Sequence, residues 1–309
     1  MPKKKVTDSQ QHDLFPQALE DHKGYAAPRR FKPITQKIWT KNKSLLVSAY
    51  LRQFVYITWR GTYIDGFSGP QYPNEPDFWC ARKVLETQKP FAEKKYGMGN
   101  YFLVESDASK IEALKELRDT HSENFKLIKL YEGDTNLVID EILARPELQL
   151  KEPVFCLLDQ HTDECHWNTV VKLATHTRPS EYKIEQFYFL ATGWIQRVFG
   201  GATTESKFQE LDLWWGDRSW ENLKGATAHS MVELMISRFK ELGYKHVTPW
   251  PIFKEGNDSG RIMYYMIHAS DHEKAPQLME NAYHKIIDVR NKDAGEQLQL
   301  ISELAIAPT

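Results

Sequence analysis

The chain has 309 residues, of which 41% are hydrophobic, 27% charged and 12% aromatic. This composition is typical of a globular protein with a hydrophobic core, and it excludes a disordered chain, a collagen-like chain and a small disulfide scaffold. The net charge is −2, so the chain as a whole is not a polycation. Three cysteines, Cys80, Cys156 and Cys165, are too few for a disulfide framework, which favours a reducing compartment.

The apolar segments are all short. None approaches the roughly 20 residues that a membrane-spanning helix needs. The charged N-terminal segment is not followed by the apolar stretch of a secretory signal. We therefore expect a soluble, cytoplasmic protein without a membrane partner.

Positive charge is concentrated in residues 1–43, which hold ten basic and four acidic residues, several prolines and little periodicity. This pattern favours a basic N-terminal arm over residues 1–40. A solvated tail is the simpler interpretation. The alternative is that the clustered Lys and Arg side chains contact the phosphates of nucleic acid.

Helical and strand-like patterns then alternate along the chain. A helix is predicted over residues 43–57, before Gly61. The predicted strands are 62–65, 101–105, 125–131, 154–159 and 187–191, and the predicted helices between them are 78–87, 109–120, 138–143 and 167–174. Strands that alternate with helices indicate βαβ units and a mainly parallel sheet.

The pattern changes after Gly200. Three helical segments, 208–215, 217–223 and 228–242, predict a helical insertion at about 203–243 that carries Trp214, Trp215 and Trp220. These rings could stack on nucleobases, but packing of the insertion against the core is the simpler interpretation. Two alternating segments, 246–253 and 261–269, flank a Gly-containing loop and predict an antiparallel hairpin. Helices are predicted over 273–288 and 296–305.

The predicted fold is therefore an α/β, Rossmann-like domain over residues 41–290. It has a mainly parallel sheet, a C-terminal antiparallel hairpin and the helical insertion, with residues 291–309 as a C-terminal helix or tail. Each of the first four predicted strands ends at or near an acidic residue, namely Asp65, Glu105, Asp134 and Asp159. Because the carboxyl ends of parallel strands form the ligand crevice of such a sheet, these carboxylates are expected to meet there.

This arrangement is the plan of the class I S-adenosylmethionine (SAM) methyltransferases. A turn of small residues after strand one lets backbone approach the methionine part of SAM. Glu105, with Asp107 as the alternative, can accept hydrogen bonds from the ribose hydroxyls, and Asp134 can accept one from the adenine amino group. The predicted cofactor-binding residues are Asp65, Gly66, Phe67, Ser68, Gly69, Glu105, Asp107 and Asp134.

The loop after strand four would face the methyl group, so Asp159, Gln160 and His161 are the predicted catalytic residues. An imidazole that titrates near neutrality could serve as a general base, although a surface histidine is the simpler interpretation. The loop also carries four possible zinc ligands, namely His161, Asp163, Cys165 and His166. Structural zinc sites usually draw their ligands from two separated pairs, so no metal is predicted.

Several motifs resemble the three-Cys-motif partner (TcmP) family. The most specific is Tyr63-Ile64-Asp65-Gly66-Phe67-Ser68-Gly69-Pro70. The weaker ones are Lys43-Ser44-Leu45-Leu46, Tyr50-Leu51-Arg52-Gln53-Phe54, Leu157-Leu158-Asp159, Trp214-Trp215-Gly216-Asp217 and Met263-Tyr264-Tyr265-Met266-Ile267. The resemblance covers most of residues 41–290. It implies a class I methyltransferase-like fold, a bacterial or phage origin, and association with a protein that bears a three-cysteine, radical-SAM-like motif.

The sequence departs from that family at three places. Gln71 stands where the family has another Gly, and Asp77-Phe78-Trp79-Cys80 replaces a Gly-Ser-Pro stretch. After strand four, Asp159-Gln160-His161-Thr162 replaces the family's Asp-Pro-Phe-Gly. Amino-methyltransferases use an Asp/Asn-Pro-Pro-aromatic turn at this place to hold the target amine, and only the acidic residue, Asp159, is kept here.

The leading hypothesis is a SAM-dependent methyltransferase-like protein that acts on nucleic acid or a nucleotide, in bacterial defence against phage. One alternative is a partner or regulatory module that keeps the fold without the chemistry. Another is a different nucleotide-dependent enzyme that uses the same crevice.

Overall fold

The computed structural model describes residues 38–72, 75–92, 97–253 and 262–287. Most of the predicted arm, the tail over 291–309, the helix predicted over 296–305 and the hairpin loop at 254–260 lie outside the described residues. No helix of the described segments is both long enough and apolar enough to span a membrane.

Nine α-helices and seven strands are described. The strands are β1 Arg60–Asp65, β2 Gly97–Glu105, β3 Ile128–Glu132, β4 Val154–Leu158, β5 Glu185–Leu190, β6 His246–Phe253 and β7 Ile262–Ser270. The helices are α1 Ile38–Thr58, α2 Cys80–Ala92, α3 Ala108–Thr120, α4 Thr135–Leu143, α5 Trp167–Thr175, α6 Thr192–Gly201, α7 Glu205–Trp215, α8 Ala228–Glu241 and α9 Ala275–Ile287. Short 3₁₀ turns cover Pro76–Phe78, Ser122–Leu127, Pro146–Gln149 and Arg218–Leu223.

The strands form one sheet in the order β3-β2-β1-β4-β5-β7-β6. The first five strands are parallel, and β7 runs antiparallel to both of its neighbours, β5 and β6. The predicted mainly parallel sheet with a C-terminal antiparallel hairpin is therefore confirmed. The chain order reverses between β1 and β4, and in open α/β sheets such a switch point places the ligand crevice at the carboxyl ends of these strands.

Apolar side chains fill both faces of the sheet. One cluster joins α1, α2, α3 and α9 to the sheet, and a second joins α4, α5, α6 and α8 to the opposite face. All five residues of β4 are buried, which explains its continuous apolar sequence, because a central parallel strand is covered on both faces.

The tryptophans between β5 and β6 pack inside the protein. Trp214 and Trp220 are fully buried, and Trp215 is nearly so. Their indole N–H groups have partners: that of Trp214 donates to the hydroxyl of Tyr188 at 3.0 Å, and that of Trp220 donates to Asp212 at 2.6 Å. These rings therefore serve the core and present no stacking face to a nucleobase.

Some predicted elements differ from the structure. The strand predicted over 125–131 begins only at Ile128, because the residues before it form a 3₁₀ turn and the ring of Phe125 packs under the guanidinium of Arg118 at 4.4 Å. The segment predicted as a helix over 217–223 is a 3₁₀ turn. Helix α6 was not predicted, and α1 begins at Ile38, earlier than expected.

Candidate functional site

A cleft at the carboxyl ends of β1 to β4 has a volume of about 610 Å³. Helix α7 contributes to one side of it, and Trp194 at the start of α6 to another. The cleft is lined by Gly66, Phe67, Glu105, Ser106, Gly133, Asp134, Thr135, His161, Thr162, Asp163, Glu164, His166, Trp194, Lys207 and Glu210. It therefore contains residues from the first three predicted strand ends and from the loop after β4.

The turn after β1 is organised by Asp65, which is fully buried. Its carboxylate accepts hydrogen bonds from the hydroxyl of Tyr63 at 2.8 Å and from the backbone N–H of Phe67 at 3.2 Å. Burial raises the pKa of Asp65 to about 7. The Tyr63 hydrogen bond opposes this rise, and the negative charge of Asp159 adds to it. Asp65 thus shapes the turn from beneath and is not part of the cleft surface.

Gly69 and Glu105 are in very close contact. The N–H of Gly69 donates to one carboxylate oxygen of Glu105 at 2.9 Å, and the N–H of Asp107 donates to the other at 2.8 Å. A Cβ atom on Gly69 would lie 2.0 Å from that first oxygen. Lys110 lies 4.0 Å from the same oxygen. Only glycine at position 69 therefore allows the Glu105 carboxylate to occupy its observed position.

The two other predicted acids cap helices. Asp107 is exposed and accepts from the backbone N–H of Ser109 at 2.9 Å at the start of α3. Asp134 accepts from the backbone and side-chain N–H groups of Asn136 at 2.8 Å at the start of α4, and it lines the cleft. The Asp107 side chain is engaged away from the cleft, so its contribution to Glu105 comes from its backbone.

Asn136 links α4 to the loop after β4. Its amide donates to the carbonyl of Glu164 at 2.8 Å, and its oxygen accepts from the N–H of His166 and from the hydroxyl of Thr169, both at 2.8 Å. Sequence reasoning missed this residue. The N-cap pattern of Asp134 before a helical run is the signal that could have drawn attention to this region.

Asp159 is paired with Lys43 of α1. The lysine nitrogen lies 2.5 Å from the carboxylate, and the two side chains are only 4% and 10% exposed. The same ammonium lies 5.8 Å from the ring centres of both Phe189 and Tyr264. Burial raises the pKa of Asp159, and the charge of Lys43 opposes that rise. Sequence reasoning placed Lys43 in the basic segment and in a TcmP-like motif, but assigned it no part in the site.

Gln160 and His161 lie in different environments. Gln160 is buried, and its amide donates to the carbonyl of Phe189 at 2.6 Å, which ties the loop to β5. The His161 ring lines the cleft. Burial lowers the pKa of His161 to about 4, and the charges of Lys110 and Lys43 lower it further. His161 is therefore neutral near pH 7 and can accept a hydrogen bond in the cleft.

The charge of the cleft is strongly negative. Its lining contains five carboxylates and one lysine, Lys207, which lies 2.7 Å from both Asp163 and Glu210. Burial also raises the pKa of Glu164. Within the described part of the chain, no three His, Cys, Asp or Glu side chains are placed to hold a metal ion, and Cys165 is buried.

Comparison with known proteins gives no match by sequence, and the similar solved structures share little sequence with this chain. No family model matches the chain, and no curated protein sequence does. A putative O-methyltransferase from Klebsiella pneumoniae is 10% identical, with a TM-score of 0.40 over 79% of this chain and 82% of its own. Spermidine synthase from Thermotoga maritima is 11% identical, with a TM-score of 0.40 over 88% and 72%. An O-methyltransferase from Bacillus cereus in complex with S-adenosylhomocysteine (SAH) is 10% identical, with a TM-score of 0.38 over 76% and 92%.

Because these TM-scores are all 0.40 or lower, the overlaps carry no argument about function. The fold class rests on the strand order. The seven-stranded sheet with an antiparallel β7 is a Rossmann-like fold of the class I methyltransferase type. The resemblance to the TcmP family stays a prediction.

The predicted site residues separate into two groups. Gly66, Phe67, Glu105, Asp134 and His161 line the cleft. The others lie beside it or beneath it: Asp65, Ser68, Gly69 and Gln160 support the loops, Asp107 caps α3, and Asp159 is paired with Lys43.

The raised pKa of Asp65 predicts a pH-dependent stability. In the unfolded chain, Asp65 has an ordinary aspartate pKa of about 4. Between pH 4 and pH 7 the folded state therefore keeps a proton on Asp65 that the unfolded state has released. The free energy of unfolding consequently falls as pH rises. Asp65→Asn should remove this dependence, which amounts to about 1.4 kcal/mol per pH unit in that window. Urea denaturation from pH 4.5 to 7.5 measures the difference.

Asp140→Asn is the matched control, because Asp140 is largely exposed beside Lys172. Its stability curve should run parallel to that of the wild type. Parallel curves for Asp65→Asn as well would contradict the raised pKa.

Proposed function

We propose that this chain binds SAM in the cleft and directs transfer of its methyl group. The observation that carries the proposal is the meeting of Glu105, Asp134 and the Gly66–Gly69 turn at one edge of the sheet. This edge includes the topological switch point between β1 and β4, where nucleotide ligands of such folds bind.

The residues present fit this cofactor. A carboxylate can accept about four hydrogen bonds. Glu105 receives one backbone N–H on each oxygen, so capacity remains for two ribose hydroxyls. The Oδ1 atom of Asp134 is engaged by Asn136, and Oδ2 can accept from an adenine amino group. An acidic cleft of about 610 Å³ suits a cofactor whose net charge is positive and lies within the usual size range of ligand pockets.

The chain's own groups would position the reaction. SAM supplies, when bound, a methyl group on a positively charged sulfur. Phe67 and Trp194 line the cleft and shield the reacting atoms from water. His161 is neutral near pH 7, so its ring can accept a hydrogen bond from the acceptor. Asp159 holds Lys43 beneath this region and fixes the loop that carries His161.

Calorimetric titration tests the cofactor directly. The full-length chain should release or absorb heat with both SAM and SAH, with a stoichiometry near one. Adenosine triphosphate serves as the control, because an acidic cleft should reject its phosphates. An absence of heat with both SAM and SAH would end the proposal.

The proposed acceptor is nucleic acid or a nucleotide, supported by the basic residues within 1–43. Replacing Arg29, Arg30 and Lys32 by Gln should reduce the salt dependence of binding to a single-stranded oligonucleotide, by up to about two units in the slope of log K against log salt. Lys115→Gln is the control, because that lysine is exposed on α3 and paired with Glu112. If the triple variant kept the wild-type salt dependence of oligonucleotide binding, the basic arm would not contact nucleic acid.

The Lys43–Asp159 pair favours a second candidate, a module that binds SAM without transferring its methyl. In that case the carboxylate that would orient an acceptor amine is already neutralised by Lys43. A radiolabelled SAM assay with nucleic acid and nucleotides separates the two functions. Transfer that is slowed in His161→Gln supports the enzyme, whereas SAM binding without any transfer supports the module.

A further inference from the structure

A second cavity lies at the opposite edge of the sheet, where β4 and β5 begin. Its volume is about 170 Å³. Helices α1 and α9 supply most of its apolar wall through Tyr50, Phe54, Ile57, Ala275 and Leu278. It is separate from the cleft described above and does not depend on the function proposed for that cleft.

The cavity contains one buried acid that the proposed chemistry does not use. Glu185, the first residue of β5, is 5% exposed and lines the wall. One of its oxygens accepts from the hydroxyl of Tyr50 and lies 2.8 Å from the imidazole nitrogen of His268. The other accepts from the hydroxyl of Ser270 at 2.7 Å. These contacts fix the carboxylate from three directions.

No fixed positive charge neutralises Glu185 among the described residues. Neither a lysine nor an arginine of this part of the chain lies within 4.0 Å of its carboxylate, and His268 is charged only when protonated. Lys183 also lines the cavity, but its ammonium donates to the carbonyl of Ala174 at 3.3 Å. Burying an ionised carboxylate without a cationic partner is costly.

We propose that this cavity binds a small organic amine in its protonated form, with the ammonium beside Glu185 and a short hydrocarbon body against Phe54 and Leu278. An apolar protein cavity of about 150 Å³ accommodates benzene, so a four-carbon amine fits by size. The carboxylate retains one lone pair for a charge-assisted hydrogen bond, because a carboxylate accepts about four and three are already used. The apolar wall excludes a large or highly polar guest.

The wild-type chain provides the first test. Ligand-observed NMR with n-butylamine, n-butanol and butyrate at pH 7 compares three guests of the same length that carry positive, zero and negative charge. We expect millimolar binding of the amine, at least about tenfold weaker binding of the alcohol, and none of butyrate. Equal binding of amine and alcohol, or no binding of the amine, would overturn the proposal.

Two variants locate the site. Glu185→Gln should reduce the affinity for butylamine to that for butanol, and circular dichroism establishes whether this variant folds. Leu278→Trp places a larger side chain in the cavity wall and keeps Glu185. It should abolish amine binding, and it tests the site even if Glu185→Gln does not fold. Leu213→Trp, at an exposed position on α7, is the matched control. Amine binding that survives Leu278→Trp would place the amine elsewhere and overturn the assignment.

Discussion

Lys43→Met is expected to destabilise the folded chain by about 3–5 kcal/mol, because removing one partner of a buried ion pair leaves the other charge uncompensated. The pair is almost fully shielded from water, and the nitrogen and oxygen lie 2.5 Å apart. Folded domains are stable by only about 5–15 kcal/mol, so this is a large fraction of the total. Urea denaturation monitored by circular dichroism measures the change.

Lys41→Met on the same helix is the control. Lys41 pairs with Asp77 at 3.4 Å, but the two side chains are 35% and 48% exposed. Exposed ion pairs contribute about 0–1 kcal/mol. Similar losses of stability in the two variants would show that the Lys43–Asp159 contact is not a buried ion pair.

The double variant Lys43→Met, Asp159→Asn isolates the charge. It should recover much of the lost stability, because it removes the carboxylate that the single variant leaves unpaired. In Lys43→Met alone, the pKa of Asp159 should rise further. The free energy of unfolding should then be lower at pH 8 than at pH 5, because the folded state keeps a proton that the unfolded state releases.

The parallel sheet and the crevice were predictable from the sequence because they depend on local signals. Alternating strand and helix patterns predicted the order of elements. Of the four acids at predicted strand ends, two, Glu105 and Asp134, line the crevice, whereas Asp65 and Asp159 lie beneath or beside it. The third strand was predicted to begin at Phe125, three residues before β3, because an aromatic residue that packs on an arginine has the same pattern as a strand residue.

The contacts that organise the site were not predictable in this way. The pairing of Lys43 with Asp159 requires that α1 pack across the sheet so that its first turns reach the end of β4. The three partners of Glu185 come from α1 and β7, far from it in sequence. Such contacts depend on strand order and helix placement. A single sequence does not reveal them through spacing or periodicity.

Gly69→Ala is expected to weaken SAH binding by about 10- to 100-fold while leaving the fold intact. The new Cβ would lie 2.0 Å from a carboxylate oxygen of Glu105 and 2.7 Å from the carboxyl carbon. That carboxylate is the end of a flexible side chain, so it can move away without disturbing the backbone. Loss of one of its hydrogen bonds to the ribose accounts for a change of this size, because a bond to a charged group contributes about 1.5–3 kcal/mol.

Gly200→Ala is the matched control for this substitution. No atom lies within 4 Å of the Cβ position at Gly200, and alanine is favoured over glycine in a helix such as α6. Calorimetry should show unchanged SAH affinity in Gly200→Ala and a loss in Gly69→Ala, with similar thermal unfolding of both. If folded Gly69→Ala kept wild-type affinity, Glu105 would not be the ribose ligand. The contact between Gly69, after β1, and Glu105, at the end of β2, would then not support the proposed cofactor site.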